Sequence, residues 1–232
     1  MSGGPIPIIA LDVPTMADAK VLVAKLGGSA DFYKVGLQLF TREGPAVVEW
    51  LRAASKRVFL DLKLHDIPNT VKGAAASAAT LGVDLLTVHA IGGDAMVRAA
   101  VDGAGSRTGI LAVTVLTSFD DAAYAAATGL PAGPASAQVY RMALVAAAAG
   151  ARGVVCAGAE AGEIRRNHGP AFGTLVPGLR MEGGATHDQA RVSTPAEVVV
   201  AGATWVVVGR AVTAAPDPAA ACELIKRALL PA

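Results

Sequence analysis

The sequence predicts an α/β fold, a (β/α)8 TIM barrel forming a single domain over residues 1–232, and three observations carry that reading. Hydrophobic strand-like runs alternate with helical segments from end to end, in eight β-then-α units. A chain of 232 residues can bury one large core, whereas two domains would each be small. Finally, the polar residues of the strand-like runs collect at the C-terminal ends, where barrel enzymes build their sites. A doubly wound sheet is the alternative. It needs a ligand crevice at a reversal of strand order, and the first turn, Asp12-Val13-Pro14-Thr15, lacks a glycine-rich dinucleotide fingerprint.

The first strand is Ile6 to Val13, ending in Leu11-Asp12, and a helix from Thr15 to Leu26 follows, stopped by Gly27-Gly28. Phe32 to Gly36 is the second strand, carrying Lys34, and Pro45 to Ala54 is its helix. The third strand opens the stretch VFLDLKLHDIPNTV, Val58 to Val71. Asp61 and Lys63 are two apart there, so on a regular strand they share a face. Asp66 follows just past the strand end, and Ile67-Pro68-Asn69-Thr70 turns the chain into a helix from Thr70 to Leu81. Thr70 stands near the helix start, where a cap belongs.

Asp84 to Ala90 is the fourth strand, ending in His89, with a helix from about Asp94 to Gly103. Ile110 to Thr117 is the fifth strand. The long stretch Ser118 to Gly150 holds a short helix and a longer one, split by Pro131 and Pro134. Gly153 to Ala157 is the sixth strand, Glu160 to Asn167 a brief helix, and Leu175 to Gly178 the seventh strand. A glycine-rich polar loop then runs from Leu179 to Arg191. Pro195 to Ala201 is helical, Trp205 to Gly209 is the eighth strand, and the helix Asp217 to Leu230 closes the chain.

Composition excludes several functions. Net charge is +1, which leaves no basic surface of the size nucleic acid requires. Hydrophobic residues make up 53% of the chain, yet the longest apolar runs are broken by glycine, lysine or arginine well before the length of a membrane span. No segment has the order of a signal peptide. Cys156 and Cys222 lie in apolar contexts and read as buried free thiols, so a cytoplasmic location is expected.

Asp12, Lys34, Asp61 with Lys63, His89, Thr117 and Arg210 all fall at or near the ends of different strands. Each alone has a plain explanation: a D-x-K pair can be a structural ion pair, and His89 a hydrogen-bonded rim histidine. Two acids and a lysine within six residues of a hydrophobic strand are nevertheless costly unless paired. The last two units suggest a phosphate site, which recurs in barrels after strands seven and eight. Gly209-Arg210 offers an unshielded backbone N–H and a guanidinium, and the preceding loop carries Arg180, Gly183-Gly184 and Gln189, suited to a lid.

With these residues in hand the chain resembles the orotidine 5′-phosphate decarboxylase family over nearly its whole length. The resemblance rests on ALD at Ala10 to Asp12, KVG at Lys34 to Gly36 and DLKLHDIPNT at Asp61 to Thr70. VTVLTS at Val113 to Ser118, PGLR at Pro177 to Arg180 and VVGRAVT at Val207 to Thr213 follow in family order. D-x-K-x-x-D also marks relatives acting on sugar phosphates; HDIPNT behind it points to the nucleotide enzyme. One departure is Val176 before Pro177, where many members carry threonine.

The resemblance implies loss of CO2 from orotidine 5′-phosphate to give uridine 5′-phosphate, a step of pyrimidine biosynthesis, with no metal and no organic cofactor. It implies an alternating charge array of Lys34, Asp61, Lys63 and Asp66, with Lys63 protonating C6. Asp12 and Lys34 would hold ribose hydroxyls, Thr117 the pyrimidine, and Pro177 the pocket wall. Arg180, Gln189, Gly209 and Arg210 would stand on the phosphate side. It also implies a homodimer with shared active sites, in which Asp66, Ile67 and Thr70 enter the neighbour's site. Two alternatives are a Mg²⁺-dependent sugar-phosphate decarboxylase or aldolase on the same scaffold, and a nucleotide-binding barrel without chemistry. The first needs a further carboxylate facing the pocket beside Asp12 and Asp61, and Glu43 lies past strand two. Nothing in the sequence favours the second, since Lys63 and both acids are present.

Overall fold

The computed structural model describes residues 3–180 and 193–231. The chain runs β1 (Ile6–Ala10), α1 (Met16–Leu26), β2 (Phe32–Gly36), α2 (Leu37–Glu43), α3 (Ala46–Ala53), β3 (Arg57–Leu64) and α4 (Pro68–Thr80). It continues through β4 (Leu85–His89), α5 (Gly93–Ala104), β5 (Gly109–Val113), α6 (Asp121–Thr128), α7 (Ala135–Ala148), β6 (Gly153–Val155) and α8 (Gly158–His168). It ends with β7 (Gly173–Val176), α9 (Pro195–Val200), β8 (Trp205–Val208), α10 (Arg210–Thr213) and α11 (Pro218–Ala228). The strands pair in parallel, in sequence order, and β8 returns to β1, so the sheet is a closed barrel. The (β/α)8 expectation is met.

Alternating side chains divide the core in two. Ile8, Phe32, Phe59, Leu85, Leu111 and Trp205 fill the barrel interior. The intervening residues, such as Ile9, Tyr33, Leu60 and Leu86, pack outward against the helices. At the lower end Trp205 lies where a side chain on Gly173 would collide with its ring, and Gly153 leaves room for the Gly173 carbonyl. Large and absent side chains therefore interlock, and the barrel is plugged below and open above.

Local chemistry sets the helix starts. Thr15, Asp120, Thr194 and Asp217 cap α1, α6, α9 and α11 by accepting a hydrogen bond from the N–H three residues on. Thr194 and Glu197 complete a reciprocal capping box. The cap expected at Thr70 is not formed: α4 starts earlier, with Pro68 in its first turn, Ile67 as the N-cap residue and no side-chain cap. Proline presets the helical φ and lacks the N–H that a cap would satisfy.

Other departures concern strand ends. β1 stops at Ala10, β5 at Val113 and β7 at Val176, all short of the expected ends. Ladder pairing ends there, leaving Asp12, Thr117 and Pro177 on the loops beyond. The segment Leu37–Glu43, to which the sequence reading assigned no element, is helical and stops at Gly44 with φ of 62°.

Candidate active site

The open end of the barrel holds a cavity of about 490 Å³, within the range of small-molecule sites. Its charged wall comes from β1 to β3. The Lys34 ammonium donates to Asp12 Oδ1 at 2.7 Å and lies 3.9 Å from Asp61 Oδ2. The Lys63 ammonium donates to the same Asp61 Oδ2 at 2.8 Å. Asp61 thus stands between two ammonium groups, and the sequence alternates sign from Asp12 through Lys34 and Asp61 to Lys63. Lys34 is 9% exposed, so its partners are what make its charge tolerable there. Gly36 is part of this arrangement: a Cβ on it would stand 2.9 Å from Lys34 Nζ and 3.3 Å from Asp12 Oδ1.

Lys63 owes its position to an irregularity. The β3–β4 ladder pairs Leu60 with Leu86 and then Leu64 with Val88, so β3 spends extra residues in a bulge between them. Lys63 sits in that bulge with φ of 50°, a left-handed conformation worth about 1–3 kcal/mol of strain in a non-glycine residue. The regular pleat expected between Asp61 and Lys63 is interrupted. Asp61 and Lys63 face the same cavity, but the backbone between them is not a regular strand. The Lys63 N–H donates to the Thr87 hydroxyl at 2.9 Å, and that hydroxyl donates to Asp61 Oδ1 at 2.9 Å.

The opposite wall comes from β5 to β8. Val113, Val155, Leu175 and Val207 supply an apolar floor, and Leu116 and Thr117 lie on the loop after β5. Pro177, Gly178 and Arg180 follow β7, and Gly209, Arg210 and Thr213 follow β8. The Arg180 guanidinium donates to the Leu179 carbonyl at 2.9 Å, and Arg180 N–H donates to the Ser193 carbonyl. Arg180 and Ser193 are thereby joined.

A family model described as orotidine 5′-phosphate decarboxylase / HUMPS family matches residues 5–225. The chain belongs to that family. A protein named orotidine 5′-phosphate decarboxylase from Anaeromyxobacter dehalogenans is 54% identical over 220 residues, covering 95% of this chain and 96% of the relative. Another of that name, from Thermobifida fusca, is 50% identical over 218 residues, covering 94% and 92% of the two chains. The crystal structure of orotidine 5′-phosphate decarboxylase from Lactobacillus acidophilus superposes with a TM-score of 0.86 at 37% identity, covering 97% of this chain and 99% of that one.

Of the residues the family resemblance singles out, Asp12, Lys34, Asp61, Lys63, Thr117, Pro177, Arg180, Gly209 and Arg210 line the one cavity. Asp66, Ile67 and Thr70 are exposed on the loop after β3 and the start of α4, outside that lining. Asp66 accepts from the Ile67 N–H at 2.6 Å. Gln189 lies outside the described residues. His89 stands off the cavity, half-buried, with its ring 5.7 Å from that of His65. Burial, then the neighbouring His65 and Lys63, push its pKa down from the usual histidine value, against the opposing pull of Asp61. Glu43 accepts the Met16 N–H at 3.0 Å at the start of α1.

Sequence reasoning missed two polar groups. Thr213 closes the VVGRAVT block, and its place on the cavity wall was open to inference from that block. Thr87 was hidden among Leu85, Leu86 and Val88. The available signal was its period-two spacing between Leu85, which points inward, and His89.

Proposed function

We propose that the chain decarboxylates orotidine 5′-phosphate to uridine 5′-phosphate without metal or organic cofactor, with Lys63 as the proton donor to C6. The observation that carries this reading is the Lys63 ammonium, 2.8 Å from Asp61 on the wall of the cavity at the barrel mouth. The names of the relatives at 54% and 50% identity support the same substrate. As the bond from C6 to the carboxylate breaks, its electron pair stays on C6 and CO2 departs. A proton moves from Lys63 Nζ to C6, and the neutral amine regains one from solvent. Asp61 sits near the substrate carboxylate, Asp12 and Lys34 hold ribose hydroxyls, and Thr117 meets the pyrimidine beside Pro177. Arg180, Gln189, Gly209 and Arg210 take the phosphate.

Magnitudes decide which effect dominates. Two like charges about 4 Å apart repel by roughly 4 kcal/mol at an effective dielectric near 20. Enzymatic rate enhancement asks for ~8–23 kcal/mol, and repulsion in the bound state can be relieved by weaker binding. Stabilisation of the developing carbanion by a pre-positioned ammonium supplies the larger share. Contacts to phosphate and ribose, remote from C6, hold the complex together while the charge develops.

The fourth member of the array, Asp66, comes from a second copy of the chain, in a homodimer whose sites are shared. Asp66 and Thr70 are exposed beside Ile67, an apolar residue 67% exposed. Leu37 and Ile91, each 54% exposed, follow the ends of β2 and β4 on either side of it. A rim carrying these apolar residues suits burial against a partner. Among the described residues no helix is long and apolar enough to cross a membrane. A cytoplasmic location accords with the two free, buried cysteines.

The deciding experiment is a spectrophotometric assay with orotidine 5′-phosphate, run with and without EDTA. Turnover that survives chelation is expected. No absorbance change at high enzyme concentration would rule for a binding module. Loss of activity with EDTA would instead favour the metal-dependent alternative.

A further inference from the structure

We propose that Thr87, on β4, is a positioning residue that sets the aim of both Asp61 and Lys63; this rests on the decarboxylase reading of the same site. The bulge in β3 takes the Lys63 N–H out of the regular ladder, because pairing jumps from Leu60 with Leu86 to Leu64 with Val88. Thr87 is the residue of β4 left opposite that gap, and it keeps its other neighbour, Leu111, on β5. Its side chain is 0% exposed and points inward above Leu85, in a wall that is otherwise apolar below it. A buried hydroxyl there must find partners or be strongly unfavourable.

The partners it finds are the two chemical residues of the site. A threonine hydroxyl has one proton and two lone pairs. Because one lone pair receives the Lys63 N–H at 2.9 Å, the proton is left for Asp61 Oδ1, also at 2.9 Å. Asp61 is then held at both oxygens: Oδ1 by Thr87, and Oδ2 by Lys63 at 2.8 Å with Lys34 at 3.9 Å. The same hydroxyl stabilises the left-handed backbone of Lys63, whose φ is 50°. Its χ1 is stiff, as for any β-branched residue, so the hydroxyl is itself well aimed. One side chain thereby couples the direction of the carboxylate to the direction of the proton donor.

Thr87→Val keeps the shape and removes the hydroxyl; Thr87→Ser keeps the hydroxyl and removes the methyl. For T87V, kcat is expected to fall by about 10–100-fold, as for a displaced reacting group, with KM changed by less than about threefold. T87S is expected to keep kcat within about threefold of wild type. A purely structural role would lower stability in both variants and would not split kcat from KM. The hydrogen bond itself is read by amide exchange. The Lys63 N–H of the wild type is expected to be protected like its β3 neighbours, and to exchange at least about tenfold faster in T87V but not in T87S.

Wild-type kcat in T87V, or an equal loss of kcat in T87S and T87V, overturns the proposal. So does an unprotected Lys63 amide in the wild type, a measurement that stands even if T87V does not fold. A wild-type protein inactive on orotidine 5′-phosphate sinks the decarboxylase reading instead, and leaves the amide exchange to judge the Thr87 contacts.

Discussion

From β1 to β4 the mouth of the barrel is made of side chains that hold one another: Asp12 with Lys34, Asp61 with Lys63, and Thr87 with both of the latter. From β5 to β8 it is made of apolar strand residues, followed by loop and helix residues such as Thr117, Pro177, Gly209 and Arg210. Because each charge there is held by a neighbour, the first half is expected to be rigid. The second half relies on backbone and on long arginine side chains after strand ends. On the proposed function the contrast is a division of labour: the first half carries the chemistry and holds the ribose, and the second takes the pyrimidine and the phosphate. Electrostatic catalysis needs dipoles and charges fixed in advance, whereas binding energy can be gathered on loops that close.

The largest expected effect tests that division directly. Lys63→Ala should lower kcat by more than about 10⁴-fold, since on the proposed mechanism it removes both the proton donor and the charge beside C6. Binding of uridine 5′-phosphate, measured by calorimetry, should remain detectable. Equal loss of binding and turnover would break the contrast between the two halves. Next comes Arg210→Ala, on the opposite wall. Loss of a charge-assisted contact to phosphate is expected to raise KM by about 100-fold with a much smaller change in kcat. Wild-type kinetics there would move the phosphate elsewhere.

A smaller effect is expected from Gly36→Ala. Its Cβ would stand 2.9 Å from Lys34 Nζ, so the ammonium must shift by a few tenths of an ångström. Turnover should fall by roughly tenfold if the array is as rigid as proposed. Unchanged kinetics would show that Lys34 has slack. The smallest effect concerns His89, whose pKa is lowered by burial and by His65 and Lys63. The unfolded chain then binds the proton more readily than the folded one, so stability is full above the ordinary histidine pKa and declines as pH falls through it. Thermal melts of the wild type between pH 7.5 and 5.5 should show that decline, and His89→Gln should flatten it. Parallel curves for the two proteins would show that His89 contributes nothing to the pH dependence.

Much of this was legible in the residue order. Hydrophobic runs separated by helical segments imply the barrel, because strands of a parallel sheet buried on both faces must be apolar throughout. Polar residues such as Lys34 and Asp61 interrupt those runs near their ends, and such interruptions are unfavourable unless the residues meet. The starts of the helices read at Thr15, Pro195 and Asp217 fall within one residue of those observed, because helix starts are set by local chemistry. The start of α4 was misread because both a threonine and a proline can begin a helix, and the proline lies first.

Sequence alone determined the barrel, its open end as the place of the site, and the lysine and aspartate residues that meet there, because periodicity and residue type are properties of the chain itself. Only the tertiary structure decided the bulge in β3, the left-handed backbone of Lys63 and the hydroxyl of Thr87 that spans the gap. The physical reason is that register between two strands depends on how all eight close into a ring. A partner 24 positions away in the chain cannot be read from the spacing of either strand by itself.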